Sequence, residues 1–396
     1  PVWSPDGERI AFVDDDSRVR VVELDGGRIH TVDVGGTNLE RTSMGLTWSP
    51  DSKWLAYAKT FPNNFRRIMA WSVEADETFP LTGELADAFS PSWDLDGRHL
   101  YFLASTDLAL GSGWANTSSM AADPTYAAYV MVLRADDPTP FPPESDEVDV
   151  KEEEEAEGEE EEAEGEGEEP GQGEEADEED DGVRIDLDGI ERRVISLPMP
   201  TSRYGMTLAG PEGTVFIGER PPDAFSMTLH KFSLEEREAE VFTRGVSAAS
   251  VSADGSKLLL RAGPGWQVVG TARPPEPGSG RMEFELRTYL DRQVEWAQMF
   301  DEAWHYEKDF FYDPGLHGAD WDAVRDRYRP LVAHVRHRSD LNYVLDQVNG
   351  ELSVGHSFVF GGDFPAVDTS RVGLLGADFL PVDGGWQIER ILSLIH

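Results

Sequence analysis

In the first part of the chain, apolar and polar positions alternate in short runs, and each run follows the same kind of polar turn. PVWSPDGERIAFV opens the sequence, LTWSPDSKWLAYA starts at Leu46 and PSWDLDGRHLYFL starts at Pro91. Alternation sends one side of each run inward and the other outward, which predicts half-buried strands. The turns Pro5-Asp6-Gly7, Pro50-Asp51-Ser52 and Leu95-Asp96-Gly97 supply the small and polar residues that a tight hairpin needs. Trp3, Trp48 and Trp93 stand 45 residues apart. Weaker copies, LAGPEGTVFIG from Leu208 and SVSADGSKLLL from Ser250, place turn glycines Gly213 and Gly255 42 residues apart. Short strands recurring with this period predict a β-propeller of about five blades over residues 1–273. An irregular β-sandwich is the alternative, and the constant spacing argues against it.

The pattern breaks twice. Between Gly97 and Gly213 the gap exceeds one blade and contains KEEEEAEGEEEEAEGEGEEPGQGEEADEEDD. Such a run buries no apolar area and repels itself, so residues 143–182 are expected to form a disordered insertion. VRIDLDGIERRVISLPMP (183–200) then predicts strand again. The second break is ARPPEPGSGRMEFE, whose prolines and glycines predict a linker over 274–285. Beyond it the apolar spacing becomes helical. A first helix is expected from Leu286 to Phe311, with Tyr289, Val294, Trp296, Met299, Phe300, Ala303, Trp304 and Phe310 recurring along it. Asp320 should cap a second helix, Trp321 to Val335, and Ser339 a third that Gly350 stops. SRVGLLGADFLPVDGGWQIERIL reads as two strands joined at Asp383-Gly384-Gly385.

Charge refines this picture. The 396 residues carry a formal net charge of −43. Twenty-four acidic residues and one lysine fall between Glu144 and Asp181, so the remainder still carries −20. Lysines are only six, and most basic residues are arginine. This composition suits a protein kept soluble in high salt. It disfavours nucleic acid as a partner, because phosphate binding needs a basic face. No run approaches the ~20 apolar residues of a membrane span. Cysteine is absent, which excludes disulfides, thiolate nucleophiles and cysteine metal sites. The chain opens at Pro1 inside a repeat and reads as a piece of a longer protein, so the lack of a leader leaves the compartment open.

Candidate chemistry centres on histidine. His305 falls inside the first helix, and His334 and His337 lie on or just past the second. No HExxH or equivalent ligand spacing accompanies them, so neither a metal nor a cofactor is expected. His317, in DPGLHGADW, reads as a turn residue. His356 differs. GELSVGHS places it after the helix-stopping Gly350, between small residues and before an expected strand Phe358-Val359-Phe360. A loop between rigid elements is a common position for catalytic groups; a buried core histidine is the other reading.

The WSPDG turns resemble the TolB/PD40 class of propeller repeats. FDEAWHYEKDFFYDPGLHGADWDAVRDRYRPLVAHVRHRSDLNYVLDQVNGELSVGHSFV resembles the first catalytic subdomain of the tricorn protease family, serine peptidases related to C-terminal processing proteases. That resemblance implies a multidomain, mainly β protein: a partial propeller, a helical peptidase subdomain over 286–364, and the truncated start of a PDZ-like domain over 365–396. It implies peptide substrates, a homo-oligomer, and His356 as the general base that takes a proton from a serine supplied by a later subdomain. Archaeal relatives are cytosolic and bacterial ones can be exported; the cytoplasm is the expected compartment. Where the archaeal pattern has a serine just before the histidine, this sequence has Gly355, flanked by Ser353 and Ser357. A non-catalytic propeller module for binding peptides or proteins is the competing expectation.

Overall fold

The computed structural model describes residues 1–36, 44–106, 125–142, 182–222, 224–263, 265–364 and 375–392. It forms two compact units, Pro1–Phe284 and Glu285–His396. The acidic insertion expected at 143–182 lies outside the described residues except for Gly182.

In the first unit every strand pairs antiparallel with its sequence neighbour. One four-stranded sheet runs from Val2–Trp3 to Ile29–Val34, and a second from Thr47–Trp48 to Glu77–Pro80. The third takes Asp87–Trp93, His99–Ser105 and Ala127–Val132, then closes with Val194–Ser196 from beyond the acidic run. The insertion therefore sits inside one blade, which explains the long gap between Gly97 and Gly213. A seven-stranded sheet follows. Its long strand Glu238–Val251 pairs with Met227–Ser233 along its first part and with Lys257–Ala262 along its last, so two of the five repeats share one strand.

The tryptophan spacing has a physical cause. Trp48 Nε1 donates to the carbonyl of Val2 at 3.2 Å, and Trp93 Nε1 donates to that of Thr47 at 3.1 Å. Each repeat thus bonds to the one before it. The serines of the turns act within their own hairpins: Ser4, Ser49 and Ser252 Oγ accept the N–H groups of Arg9, Trp54 and Lys257, each at 2.9 Å. Of residues 183–200, expected as strand, only Val194–Ser196 joins a ladder. Val183, Ile185 and Leu187 alternate as a strand would, but they pack on the core shared by the second and third sheets. Val183 is held there by the Asp51 carboxylate at 2.7 Å and by Trp54 Nε1 at 3.1 Å.

In the third blade Asp94 replaces the turn serine. It is fully buried and accepts from the Tyr101 hydroxyl and the Gly213 N–H. Burial, followed by the neighbouring Asp96 carboxylate, pushes its pKa up from 3.8 to about 6. The folded state therefore binds this proton more tightly than the unfolded chain does. Stability from this group is greatest below pH ~4 and is lost as pH rises through ~6, by about 3 kcal/mol in total. Asp94→Asn removes that titration. Its stability relative to the parent chain should improve as pH rises from 4 to 7, read from melting curves; a pH-independent difference would exclude a strained buried charge.

The first helix of the second unit begins later than its apolar spacing suggests. Helix α1 spans Arg292–Phe310, not Leu286 to Phe311, because the Asp291 carboxylate caps it by accepting the Gln293 and Val294 N–H groups. Tyr289 and Val294, expected on the apolar face, are exposed. Asp320 caps α2 as expected, but α2 stops at Tyr328. Pro330 cannot donate to a helical ladder, and Arg329–His334 tightens into a 3-10 helix. Helix α3 spans Arg338–Gly350, and its cap is His337 rather than Ser339. Trp296, Phe300 and Trp304 of α1 meet Trp321 and Val324 of α2 and Leu341, Val344, Leu345 and Val348 of α3 in one core. Further on, Ala377–Val382 and Gly385–Ile391 form an antiparallel hairpin.

Candidate functional site

The segment from Glu351 to Phe364 leaves α3 and crosses the helical layer. Its first two residues are tightly held. Glu351 Oε1 accepts from the Tyr328 hydroxyl and from Arg327, each at 2.7 Å. The Tyr328 hydrogen bond, with the Arg327 charge, holds this carboxyl below its ordinary value. Leu352 is completely buried in the helical core. Its carbonyl accepts from His317 Nδ1 at 3.0 Å.

The far end of the segment is held as well. Asn342 Nδ2 donates to the Gly361 carbonyl at 2.9 Å, Arg292 pairs with Asp363 at 2.6 Å, and the His337 ring lies 5.7 Å from that of Phe364. Gly362 has φ +114 and lies so close to the Arg338 side chain that a Cβ would come within 2.6 Å of it. Only glycine fits that crossing.

Between these anchors lies His356. Its imidazole is exposed and stacks near Phe358, with ring centroids 6.2 Å apart. Ser353 and His356 both have left-handed backbone, φ 52 and φ 60. Non-glycine residues pay for that conformation, and such strain concentrates at functional sites. Among the described residues no hydrogen bond engages the His356 ring, and neither Ser353 nor Ser357 reaches it. Gly355 needs no special φ, and a Cβ there would meet nothing within 4 Å. A serine would fit at this position. Phe358-Val359-Phe360, expected as a strand, pairs with no other strand among the described residues; Val359 packs on the helical core while Phe358 and Phe360 stay exposed.

Two clefts border the loop. One of about 480 Å³ is lined by Tyr328, Asp346, Asn349, Glu351, Val354 and Ser357. Another of about 430 Å³ is lined by Ala303, Tyr306, Glu307, Leu345, Phe358 and Phe360. Burial raises the Glu307 pKa above its ordinary value. An unengaged imidazole at a rigidly anchored, exposed loop tip can accept a proton from a nucleophile presented to it. It carries no nucleophile of its own among the described residues.

Two other histidines of this unit serve local structure. His305 Nδ1 bonds to the Asp301 carbonyl one turn back, and His337 caps α3 by accepting the Ser339 N–H at 3.2 Å. The groups of three or more candidate ligands among the described residues are Asp94–Asp96–His99 and Asp14–Asp15–Asp16, both in the first unit. Asp94 is committed to Tyr101 and Gly213, and Asp96 to His99. No helix among the described residues is long and apolar enough to cross a membrane.

Comparison with known proteins places both units. Residues 1–271 match the family described as the tricorn protease second beta propeller domain, and residues 292–350 match the tricorn protease C1 domain. His356 lies six residues past the second match. Tricorn protease homolog 1 of Streptomyces coelicolor is 30% identical over 98% of this chain and 36% of its own length. The tricorn protease of Thermoplasma volcanium is 23% identical, with the same two coverages. A solved structure of the tricorn protease superposes with a TM-score of 0.71 at 18% identity, over 98% of this chain and 36% of that one. The chain therefore spans about a third of the length of these relatives.

Proposed function

The chain belongs to the tricorn protease family, and from that premise we propose that it forms the propeller and general-base portion of a serine peptidase acting on short peptides. His356 takes the proton from a serine hydroxyl as that oxygen attacks the peptide carbonyl. It then returns the proton to the departing amine. The serine comes from polypeptide outside these 396 residues, and the propeller filters what reaches it. The same reading takes peptides as substrates, a homo-oligomer as the working assembly and the cytoplasm as the compartment. The observation that carries it is the His356 loop: an exposed, unengaged imidazole held between Glu351 and Asp363 by contacts to all three helices. The names of the relatives supply the reaction class.

A serine-directed fluorophosphonate probe tests the division of labour. It should label the intact gene product at one serine and leave the 396-residue chain unlabelled. Labelling of the chain that one serine substitution within residues 1–396 abolishes would place the nucleophile here and overturn the reading.

A further inference from the structure

We infer that His317 is a positioning residue for the loop that carries His356, an inference that rests on reading His356 as the general base. The turn after α1 has an unusual backbone. Leu316 and His317 both adopt left-handed φ, 51 and 53. The Asp313 carboxylate holds them there, accepting the N–H of Gly315 at 3.0 Å and that of His317 at 2.9 Å. Such a conformation persists only where the surroundings enforce it.

What this strain achieves is a contact 35 residues away. His317 Nδ1 reaches the carbonyl of Leu352 at 3.0 Å. A carbonyl only accepts, so Nδ1 carries the proton, and Nε2 is left to accept from the Tyr312 hydroxyl that meets it. The Phe311 ring stands edge-on at 5.1 Å and fixes the plane of the imidazole. The tautomer and orientation of His317 are therefore set by three neighbours, the Leu352 carbonyl, the Tyr312 hydroxyl and the Phe311 ring.

Leu352 is the last buried residue before the exposed tip. Its side chain is locked in the core and its N–H is taken by the Asn349 carbonyl at 3.1 Å. The peptide plane between Leu352 and Ser353 is then held at both of its polar groups: the Ser353 N–H donates to the Gly350 carbonyl at 3.2 Å, and His317 holds the Leu352 carbonyl. Ser353 then enters its left-handed turn from a fixed direction, and His356 follows three residues later. Releasing that carbonyl leaves the plane on the single, longer Ser353–Gly350 bond, which lets it tilt and displaces the imidazole. A misplacement on the order of 1 Å can lower a rate by about 100-fold.

The test uses the intact gene product with a short fluorogenic peptide amide. Turnover is expressed per fluorophosphonate-labelled serine, so unfolded molecules do not count. His317→Leu should lower kcat by about 10- to 100-fold with KM unchanged within about threefold. His317→Asn, whose side-chain N–H can still reach the carbonyl, should recover most of the loss. Tyr312→Phe keeps the ring packing and removes only the hydroxyl; it should show a smaller fall in the same direction, and it serves if His317→Leu does not fold. In the 396-residue chain, amide exchange at Ser353–Ser357 should accelerate in His317→Leu and return toward the parent rate in His317→Asn. A purely structural role would lower the labelled fraction and leave kcat per labelled site and the Asn–Leu ranking unmoved, which overturns the inference. His356→Ala assayed in parallel separates the two ideas. If that variant keeps its turnover, the general-base reading fails, whereas the exchange data still report whether His317 holds the loop.

Discussion

Replacing His356 by alanine is expected to lower kcat of the intact gene product by at least ~10⁴-fold while KM for short peptides stays within a few-fold. On the proposed reading the imidazole acts only as the serine oxygen attacks, so its loss falls on the transition state and not on substrate binding. Two structural features make the substitution clean. His356 makes no hydrogen bond among the described residues, so no partner is left unsatisfied. Alanine keeps a Cβ, so the strain of the φ 60 backbone stays the same in the variant and the parent. Melting temperature should therefore be unchanged, and a loss of rate cannot be assigned to unfolding. A variant with kcat within tenfold of the parent would remove His356 from the mechanism. It would favour the alternative, a propeller module that binds peptides without cleaving them.

The propeller was legible because its signals are local and repeated. A tryptophan, a serine and an Asp-Gly type turn recur, and the structure uses each for the same bonds in successive blades. The fusion of two repeats through Glu238–Val251 was not legible, since nothing in a strand's own sequence says whether its two ends serve different neighbours. Helix starts were misread for a related reason. Apolar residues upstream of Asp291, such as Leu286 and Tyr289, keep the right spacing but are exposed, and the cap decides where the helix begins. At the candidate site, His356 could be singled out from its small neighbours and its place after Gly350. The side chains that hold its loop could not. His317 meets Leu352 across 35 residues, Tyr328 meets Glu351 across 23, and Asn342 meets Gly361 across 19. These contacts exist only once the helices are packed, and each residue alone reads as an ordinary turn, helix or surface position.

Packing of those helices turns on one pair, and Trp321→Ala should destabilise the helical unit by about 3–5 kcal/mol. Trp304 Nε1 donates to the carbonyl of Trp321 at 2.8 Å, and Trp321 Nε1 donates to the carbonyl of Trp304 at 3.0 Å. Both rings are buried. Each indole therefore fills the core and also satisfies a backbone carbonyl on the opposing helix. Trp321 is the first residue of α2, so its carbonyl takes the Trp304 indole in addition to its own helical bond. Alanine at 321 opens a cavity and at once removes the second donor from the Trp304 carbonyl, which keeps its own bond within α1. Phenylalanine at 321 keeps most of the volume and isolates the polar part, which should cost about 0.5–1.5 kcal/mol. Amide exchange across residues 292–350 in the 396-residue chain reads these losses locally, without assuming that the two units unfold together. The order Trp321→Ala above Trp321→Phe above parent is expected. Because Arg327 and Tyr328 at the other end of α2 hold Glu351, the loosened helix should also speed exchange at Ser353–Ser357. A loss below about 1 kcal/mol for Trp321→Ala would mean that the reciprocal pair does not hold α1 to α2, and the anchoring of the His356 loop would then have to come from α3 and the His317 turn alone.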